Sequence, residues 1–108
     1  KNLKLKLRLF RSTVFYVALK YCPEKLLIKN EANRETILET VLEYLEADDA
    51  DLIKNGLVAF GYAINVLCKH QIAIPTNIIK SFCKVIFMKN FVTFLLIVYF
   101  KYPALQRY

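Results

Sequence analysis

Glycine and proline are scarce in this sequence, with two glycines and three prolines among 108 residues. A β-sandwich or barrel needs many turns rich in these residues, and a disordered chain is poor in apolar ones, whereas 56% of this chain is apolar. A helical domain is therefore favoured over both classes. Charge-free runs are also short, because the longest, residues 55–68, falls below the ~20 residues of a bilayer-spanning helix. No spanning helix is predicted, while an interfacial one stays open.

Signatures of catalysis and metal binding are missing as well. The chain contains no glycine-rich phosphate loop, no H-E-x-x-H and no G-x-S-x-G. Cys22, Cys68 and Cys83 have no C-x-x-C spacing, and His70, the only histidine, is predicted to lie at the surface in a polar loop. We therefore expect no enzyme activity, no cofactor and no metal site. The cysteines are interpreted as buried thiols in a reducing intracellular compartment, which leaves cytoplasm, nucleus and mitochondrion open.

Acidic residues are absent from both ends of the chain. Residues 1–20 carry six basic residues and no acid, and residues 53–108 carry seven basic residues and no acid. All nine acids lie within residues 21–52, against three basic residues. Basic ends of this kind indicate an anionic partner, that is, nucleic acid, an anionic membrane or an acidic protein. The alternative is that ordinary surface lysines are neutralised by the acidic segment within the fold.

The acid-free start of the chain predicts a helix that ends near Tyr21, before Pro23. Its apolar residues recur at spacings of four and three, which places them on one stripe that we expect to face the core. These residues are Leu3, Leu7, Phe10, Val14, Val17 and Tyr21. A neighbouring basic stripe contains Lys1, Lys4, Arg8 and Arg11. Phe15 and Tyr16 lie off the apolar stripe and are expected near the surface.

A second helix is predicted over residues 32–47, after a connector at residues 23–30. Its glutamates recur about every four residues and form an acidic face opposite an apolar one. The glutamates are Glu31, Glu35, Glu39, Glu43 and Glu46. Like charges one turn apart repel each other by roughly a few tenths of a kcal/mol. We therefore expect basic residues of the first helix or of a partner to lie near this face.

Asp48, Asp49 and Asp51 predict the start of a third helix, because aspartate side chains cap free backbone N–H groups. This helix is expected to end near residue 69 and to be buried on most sides, since only a narrow polar strip interrupts its apolar surface. Gly56 and Gly61 leave little side chain in the way. They therefore predict that a neighbouring helix approaches this one closely, at a cost in helix propensity of about 1 kcal/mol per glycine.

Two more helices are predicted, over residues 75–87 and 90–101. Pro75 suits a first helical turn, because the N–H that it lacks would be unbonded there. The last helix is apolar nearly all round, and a small domain rarely leaves so much apolar surface uncovered. We expect it to dock on a protein partner. The predicted docking residues are Phe91, Phe94, Leu95, Val98 and Tyr99.

Helices of this length, joined by short loops, with an aspartate cluster before a very apolar helix and a proline at the start of the next, resemble HEAT or armadillo-like repeats. Residues 37–87 carry the likeness. The segment DADLIKNGLVAFGYAINVLCKHQIAIP is also similar to one unit of the helical repeats in FAST-kinase-like organellar RNA-binding proteins. The resemblance implies an all-α solenoid segment of about five helices with a scaffold surface. Because no two repeat copies align residue by residue, an irregular helical bundle is the alternative.

We therefore predict one helical domain over residues 1–108, which starts at Lys1 and is compatible with a piece of a longer solenoid. Its predicted function is that of a non-catalytic structural or interaction subunit that docks into a larger protein or ribonucleoprotein complex. Direct binding of RNA or DNA and peripheral binding to anionic lipid are the alternatives. The residues predicted to contact an anionic partner are Lys1, Lys4, Arg8, Arg11, Lys80, Lys84 and Lys89.

Overall fold

Residues 2–89 are described by the computed structural model, and they form four α-helices and one short π-helix. The elements are α1 (Asn2–Tyr21), the π-helix (Glu24–Ile28), α2 (Glu31–Leu45), α3 (Ala50–Lys69) and α4 (Thr76–Lys89). This part of the chain contains no strand, so the predicted all-α fold class is confirmed. The predicted fifth helix lies outside the described residues. So do Lys1 and the docking residues Phe91, Phe94, Leu95, Val98 and Tyr99.

The helices form two layers that alternate along the chain. α1 lies against α3, and α4 lies against α2, while α2 and α3 pack on each other across the layers. α3 also contacts the π-helix, which confirms the prediction that it is the central, buried helix. Within residues 2–89, no helix is both long enough and apolar enough to cross a bilayer.

The core lies between the two layers, and leucine is its most frequent residue. The largest side chains that are less than 2% exposed are Leu19, Leu27, Leu45, Leu52, Leu67, Val41 and Ser12. Burying one leucine side chain stabilises a fold by roughly 1.5–3 kcal/mol. Leu27 lies in the segment that the sequence pattern treats as a connector. The π-helix between α1 and α2 is therefore part of the core.

Arg34 joins α2 to the π-helix through two hydrogen bonds. Its Nε donates a hydrogen bond to the Leu27 carbonyl, and its Nη2 donates one to the Ile28 carbonyl at 3.1 Å. Both carbonyls lie at the end of the π-helix, where helical backbone oxygens lack N–H partners. The guanidinium supplies these donors, a contact that no sequence pattern indicated.

The start of α3 is capped as the aspartate cluster predicts. One oxygen of Asp49, Oδ2, accepts hydrogen bonds from the N–H of Asp51 at 3.0 Å and from the N–H of Leu52 at 3.1 Å. Both N–H groups belong to the first turn and have no partner inside the helix. Asp49 is thus the capping residue among the three aspartates.

A residue with left-handed backbone geometry follows α3. Gln71 has a φ of 56°, the one positive φ among the non-glycine residues described. Its N–H donates to the Cys68 carbonyl at 3.1 Å, and the N–H of Ile72 donates to the Leu67 carbonyl at 2.9 Å. This pair of bonds forms a Schellman motif, in which the position of Gln71 is usually occupied by glycine.

We expect Gln71→Gly to raise the free energy of unfolding by about 0.5–1 kcal/mol, because glycine adopts a positive φ without the Cβ contacts of glutamine. Gln71 is exposed, so little packing is lost. Urea unfolding measures the change. The matched control is Ala73→Gly, at an exposed loop residue without a positive φ, where glycine only loosens the unfolded chain and should lower stability slightly. A lower midpoint for Gln71→Gly would contradict the prediction.

Candidate interaction surfaces

The apolar stripe of α1 faces solvent. We call Leu3, Leu7, Phe10, Val14, Val17 and Tyr21 the α1 stripe. Their exposed fractions range from 38% for Val17 to 71% for Tyr21. The prediction that this stripe faces the core is therefore wrong. The reason is that α1 has a second, less regular face, which includes the buried Leu19 and the half-buried Phe15 and Tyr16, and this face packs against α3.

A polar contact with α3 lies in the middle of that second face. Ser12 is 1% exposed, and its hydroxyl donates to the Leu9 carbonyl at 2.9 Å. From α3, Nδ2 of Asn55 donates to Ser12 Oγ at 2.8 Å and lies 3.3 Å from Thr13 Oγ1. The ring of Phe15 meets that of Tyr44 edge to face, with centroids 6.1 Å apart. Phe15 and Tyr16, which were expected near the surface, are half-buried and pack against the core.

The predicted basic residues lie on two separate helices. Lys4, Arg8 and Arg11 are exposed on α1, alongside the α1 stripe. Lys80 and Lys84 are exposed on α4, which belongs to the other layer. The two groups therefore do not form one patch within the described residues.

Lys89 differs from the other predicted basic residues, because it is used inside the fold. It is half-buried, and its Nζ donates to the Ala47 carbonyl at 2.9 Å. Ala47 lies just after α2, so the lysine ties the end of α4 to the loop between α2 and α3. Its ammonium is partly committed to this contact.

The outer surface of α4 combines apolar and basic side chains. Ile79, Phe87 and Met88 are exposed, with Phe87 at 77% and Met88 at 80%. Together with Lys80 and Lys84 they line a shallow groove on this helix. The apolar fraction of this surface makes it a second candidate for contact with a partner.

The glutamate face of α2 is exposed as predicted, and the first helix does not neutralise it. All five glutamates of the face are exposed. Glu35 accepts a hydrogen bond from Asn77 Nδ2 of α4 at 3.0 Å. Within residues 2–89, the acid–base pair closer than 4 Å joins His70 and Glu24, 3.5 Å apart. Exposed glutamates are well solvated, so the face is stable without a counter-ion.

The three cysteines differ in their exposure. Burial raises the pKa of the Cys68 thiol, so this sulfur is less nucleophilic than an exposed one. Cys22 and Cys83 are exposed free thiols, so the interpretation of all three cysteines as buried was wrong for these two. Their elements explain the difference, since Cys22 follows the end of α1 and Cys83 lies on the outer side of α4.

His70 is exposed at the end of α3, which confirms the prediction of a surface histidine. Across residues 2–89, no three side chains of histidine, cysteine, aspartate or glutamate gather closely enough to hold a metal ion. Six of the nine large apolar side chains that are exposed among the described residues belong to the α1 stripe, which has basic residues beside it.

A comparison with known protein families gives a match. A family model described as "Stalled ribosome sensor GCN1-like, HEAT repeats" matches residues 1–94. No curated protein and no solved structure matches the chain. The match covers all of the described residues, and the alternating two-layer arrangement of α1 to α4 is that of stacked helical repeats. The likeness to FAST-kinase-like repeats stays a prediction.

Proposed function

The chain belongs to the family of GCN1-like HEAT repeats of stalled ribosome sensors, and from this premise we propose that it is a non-catalytic helical scaffold within a larger protein or ribonucleoprotein complex. Helical repeats of this kind contact only their neighbours along the stack and leave long surfaces for partners. The family description names a sensor of stalled ribosomes. A ribosome-containing particle is therefore the first assembly in which to look for this chain.

The α1 stripe is the observation that carries this proposal. It presents six apolar residues in one line on a single exposed helix face, over about 27 Å at 1.5 Å per residue. Isolated proteins rarely leave a contiguous apolar patch of more than a few hundred Å² in water. A scaffold that docks through this stripe would bury it, and the lysines and arginines beside it would face an anionic neighbour.

The second candidate function is direct contact with RNA through α4. Lys80 and Lys84 lie one turn apart and are exposed, and the ring of Phe87 is exposed beside them. Lysines that follow a phosphate backbone and an aromatic ring on which a base can stack are the usual elements of single-strand binding. In that case affinity would fall steeply as salt rises.

We propose a reducing intracellular compartment for either function. Exposed thiols such as those of Cys22 and Cys83 are open to oxidation or mispairing in an oxidising compartment. Cytoplasm, nucleus and mitochondrion each provide such a compartment.

Sedimentation of native extract that contains the tagged chain tests the scaffold proposal. We expect the chain to move with fast-sedimenting particles, and Leu7→Gln with Val14→Gln to return it to the top of the gradient. Both positions are about half exposed, and glutamine keeps helix propensity while removing apolar surface without adding charge. The matched control is Thr36→Gln, an exposed substitution on α2, which should leave the sedimentation unchanged.

Digestion with ribonuclease and the pair Lys80→Glu, Lys84→Glu separate the two candidates. Release by the lysine substitutions or by ribonuclease, with no effect of the α1 substitutions, would favour direct RNA contact. A chain that stays at the top of the gradient at low salt, with its α1 stripe intact, would contradict the scaffold proposal.

A further inference from the structure

The α1 stripe follows a heptad pattern. Its residues are four, three, four, three and four apart, which is the spacing of the two apolar positions, a and d, in coiled coils. Position a holds Leu7, Val14 and Tyr21, and position d holds Leu3, Phe10 and Val17. A stripe confined to these two positions is narrower than the face with which a helix covers a protein core. An apolar stripe of this width is typical of a helix that packs along one other helix.

The face of α1 opposite the stripe is already occupied. In the same heptad, the positions that point directly away from the stripe hold Leu5, Ser12 and Leu19. Ser12 and Leu19 are each 1% exposed, and α1 packs on α3 through this side. The α1 stripe therefore points away from the fold, and a second helix can lie along it without displacing any described element.

The charges beside the stripe have one sign. The flanking positions, e and g, hold Lys4, Arg11 and Ala18 on one side and Lys6, Thr13 and Lys20 on the other. All of the charged members are basic, and the ammonium of Lys20 lies 5.2 Å from the ring centroid of Tyr21. In a helix pair, side chains at e and g face those of the partner and select it by charge. Acidic residues at the e and g positions of a partner helix would be attracted by the basic residues on both sides of the α1 stripe.

Neither a second copy of α1 nor a later segment of this chain provides those acids. Pairing of two α1 helices would oppose lysine and arginine with the same residues in either direction, which is repulsive. Residues 53–108 contain no acid at all. The acidic helix α2 uses its apolar side, including Leu38 and Leu45, in the core. The charge pattern therefore points to a helix outside residues 1–108.

A membrane surface fits the pattern less well. A helix that lies on a membrane has one apolar side and one strongly polar, charged side. In α1 the side opposite the stripe is buried against protein, and four of the five basic residues described on this helix lie in two narrow rows beside the stripe. Two such rows match the e and g positions of a partner helix.

We infer that the α1 stripe is a coiled-coil-type docking site for one amphipathic helix of a protein partner, which carries apolar residues at heptad spacing and acidic residues on both flanks. The inference rests on the proposed scaffold function and adds the chemical character of the partner. It makes Leu7 and Val14 central contacts, and Lys4, Lys6, Arg11 and Lys20 the residues that select the partner by charge.

Two synthetic peptides of three heptads test this inference on the purified chain. Both have leucine at positions a and d; one has glutamate at e and g, and the other has lysine there. By fluorescence anisotropy at low salt, we expect the glutamate peptide to bind at least about tenfold more tightly than the lysine peptide, since several exposed ion pairs each contribute a small term. Added salt should reduce that difference.

Two variants of the chain provide the controls, each checked for retained helicity by circular dichroism. Leu7→Gln with Val14→Gln should weaken binding of the glutamate peptide at least about tenfold by removing apolar contacts. Replacing Lys4, Lys6, Arg11 and Lys20 with glutamate should instead reverse the preference, so that the lysine peptide binds more tightly. A structural defect in α1 would weaken the binding of both peptides and would not reverse the preference between them.

Equal binding of the two peptides, or no binding of either, would overturn the inference. Binding to vesicles of phosphatidylcholine with phosphatidylserine that is lost in Leu7→Gln with Val14→Gln, while neither peptide binds, would also overturn it and assign the stripe to anionic lipid. If the chain sediments with large particles but binds neither peptide, the inference fails while the scaffold proposal stands. Failure of the scaffold proposal has its own signature, a chain that stays at the top of the gradient.

Discussion

Leu67→Ala is expected to lower the free energy of unfolding by about 3 kcal/mol, because the loss of a buried leucine removes apolar contacts and leaves a cavity. Leu67 lies near the end of α3, the central helix, and is 0% exposed. It belongs to the hydrophobic cluster that includes residues of α1, α2 and α4. Since the free energy of unfolding of a small domain is roughly 5–15 kcal/mol in total, one such change removes a large part of the stability.

Urea denaturation measures the effect of Leu67→Ala, and Leu7→Ala is its matched control. Leu7 belongs to the α1 stripe and is 54% exposed, so the same chemical change there should alter stability by no more than about 0.5 kcal/mol. The m-value should be unchanged in both variants, since neither alters the surface exposed on unfolding by much. Equal losses for the two variants would mean that α1 buries its stripe and not the opposite face.

Gly56→Val is expected to lower the free energy of unfolding by about 3 kcal/mol through overpacking between α2 and α3. A Cβ at Gly56 would lie 3.0 Å from Tyr44 Cβ and 3.1 Å from the backbone nitrogen of Leu45. A flexible side chain could turn aside, but a backbone nitrogen moves only if α2 moves with it. Valine adds two branched carbons to this contact, and they have few rotamers to choose from in a helix.

The control for Gly56→Val is Lys54→Val, an exposed position two residues earlier in α3. That change should cost no more than about 0.5 kcal/mol, which is the lower helix propensity of valine. Propensity alone would make valine better than glycine at position 56, so the packing contact determines the sign of the expected change. If the midpoint of thermal unfolding of the Gly56→Val chain were equal to or above that of the unsubstituted chain, this result would contradict the close approach of α2 and α3.

The helices themselves could be predicted because their signals are local. Pro23 and Pro75, the aspartates before α3 and the regular apolar spacing mark the ends of four helices to within two residues of those observed. The close approach at Gly56 could also be predicted, since glycine inside a helix is unfavourable unless the missing side chain makes room for a neighbour. The match to a HEAT repeat family over residues 1–94 confirms the resemblance that rested on this layout.

The orientation of α1 could not be predicted in this way, because the helix has two apolar faces. The more regular face, the α1 stripe, is exposed. The buried face has Ser12 at its centre, and a polar residue in the sequence pattern predicts exposure rather than burial. Ser12 is buried because Asn55 of α3 supplies a hydrogen bond across 43 positions of sequence. No local pattern contains that information. The same applies to Arg34, whose partners lie on the π-helix.

The sequence by itself determined the helical class, the positions of the helices, the capped start of α3 and the basic and acidic segments, since each depends on residues within a few turns of one another. The tertiary structure alone decided which side of α1 meets α3, that the segment before α2 enters the core, and that Lys89 is tied to a carbonyl while Lys80 and Lys84 stay exposed. The physical reason is that periodicity belongs to one helix, whereas burial depends on which neighbours that helix meets.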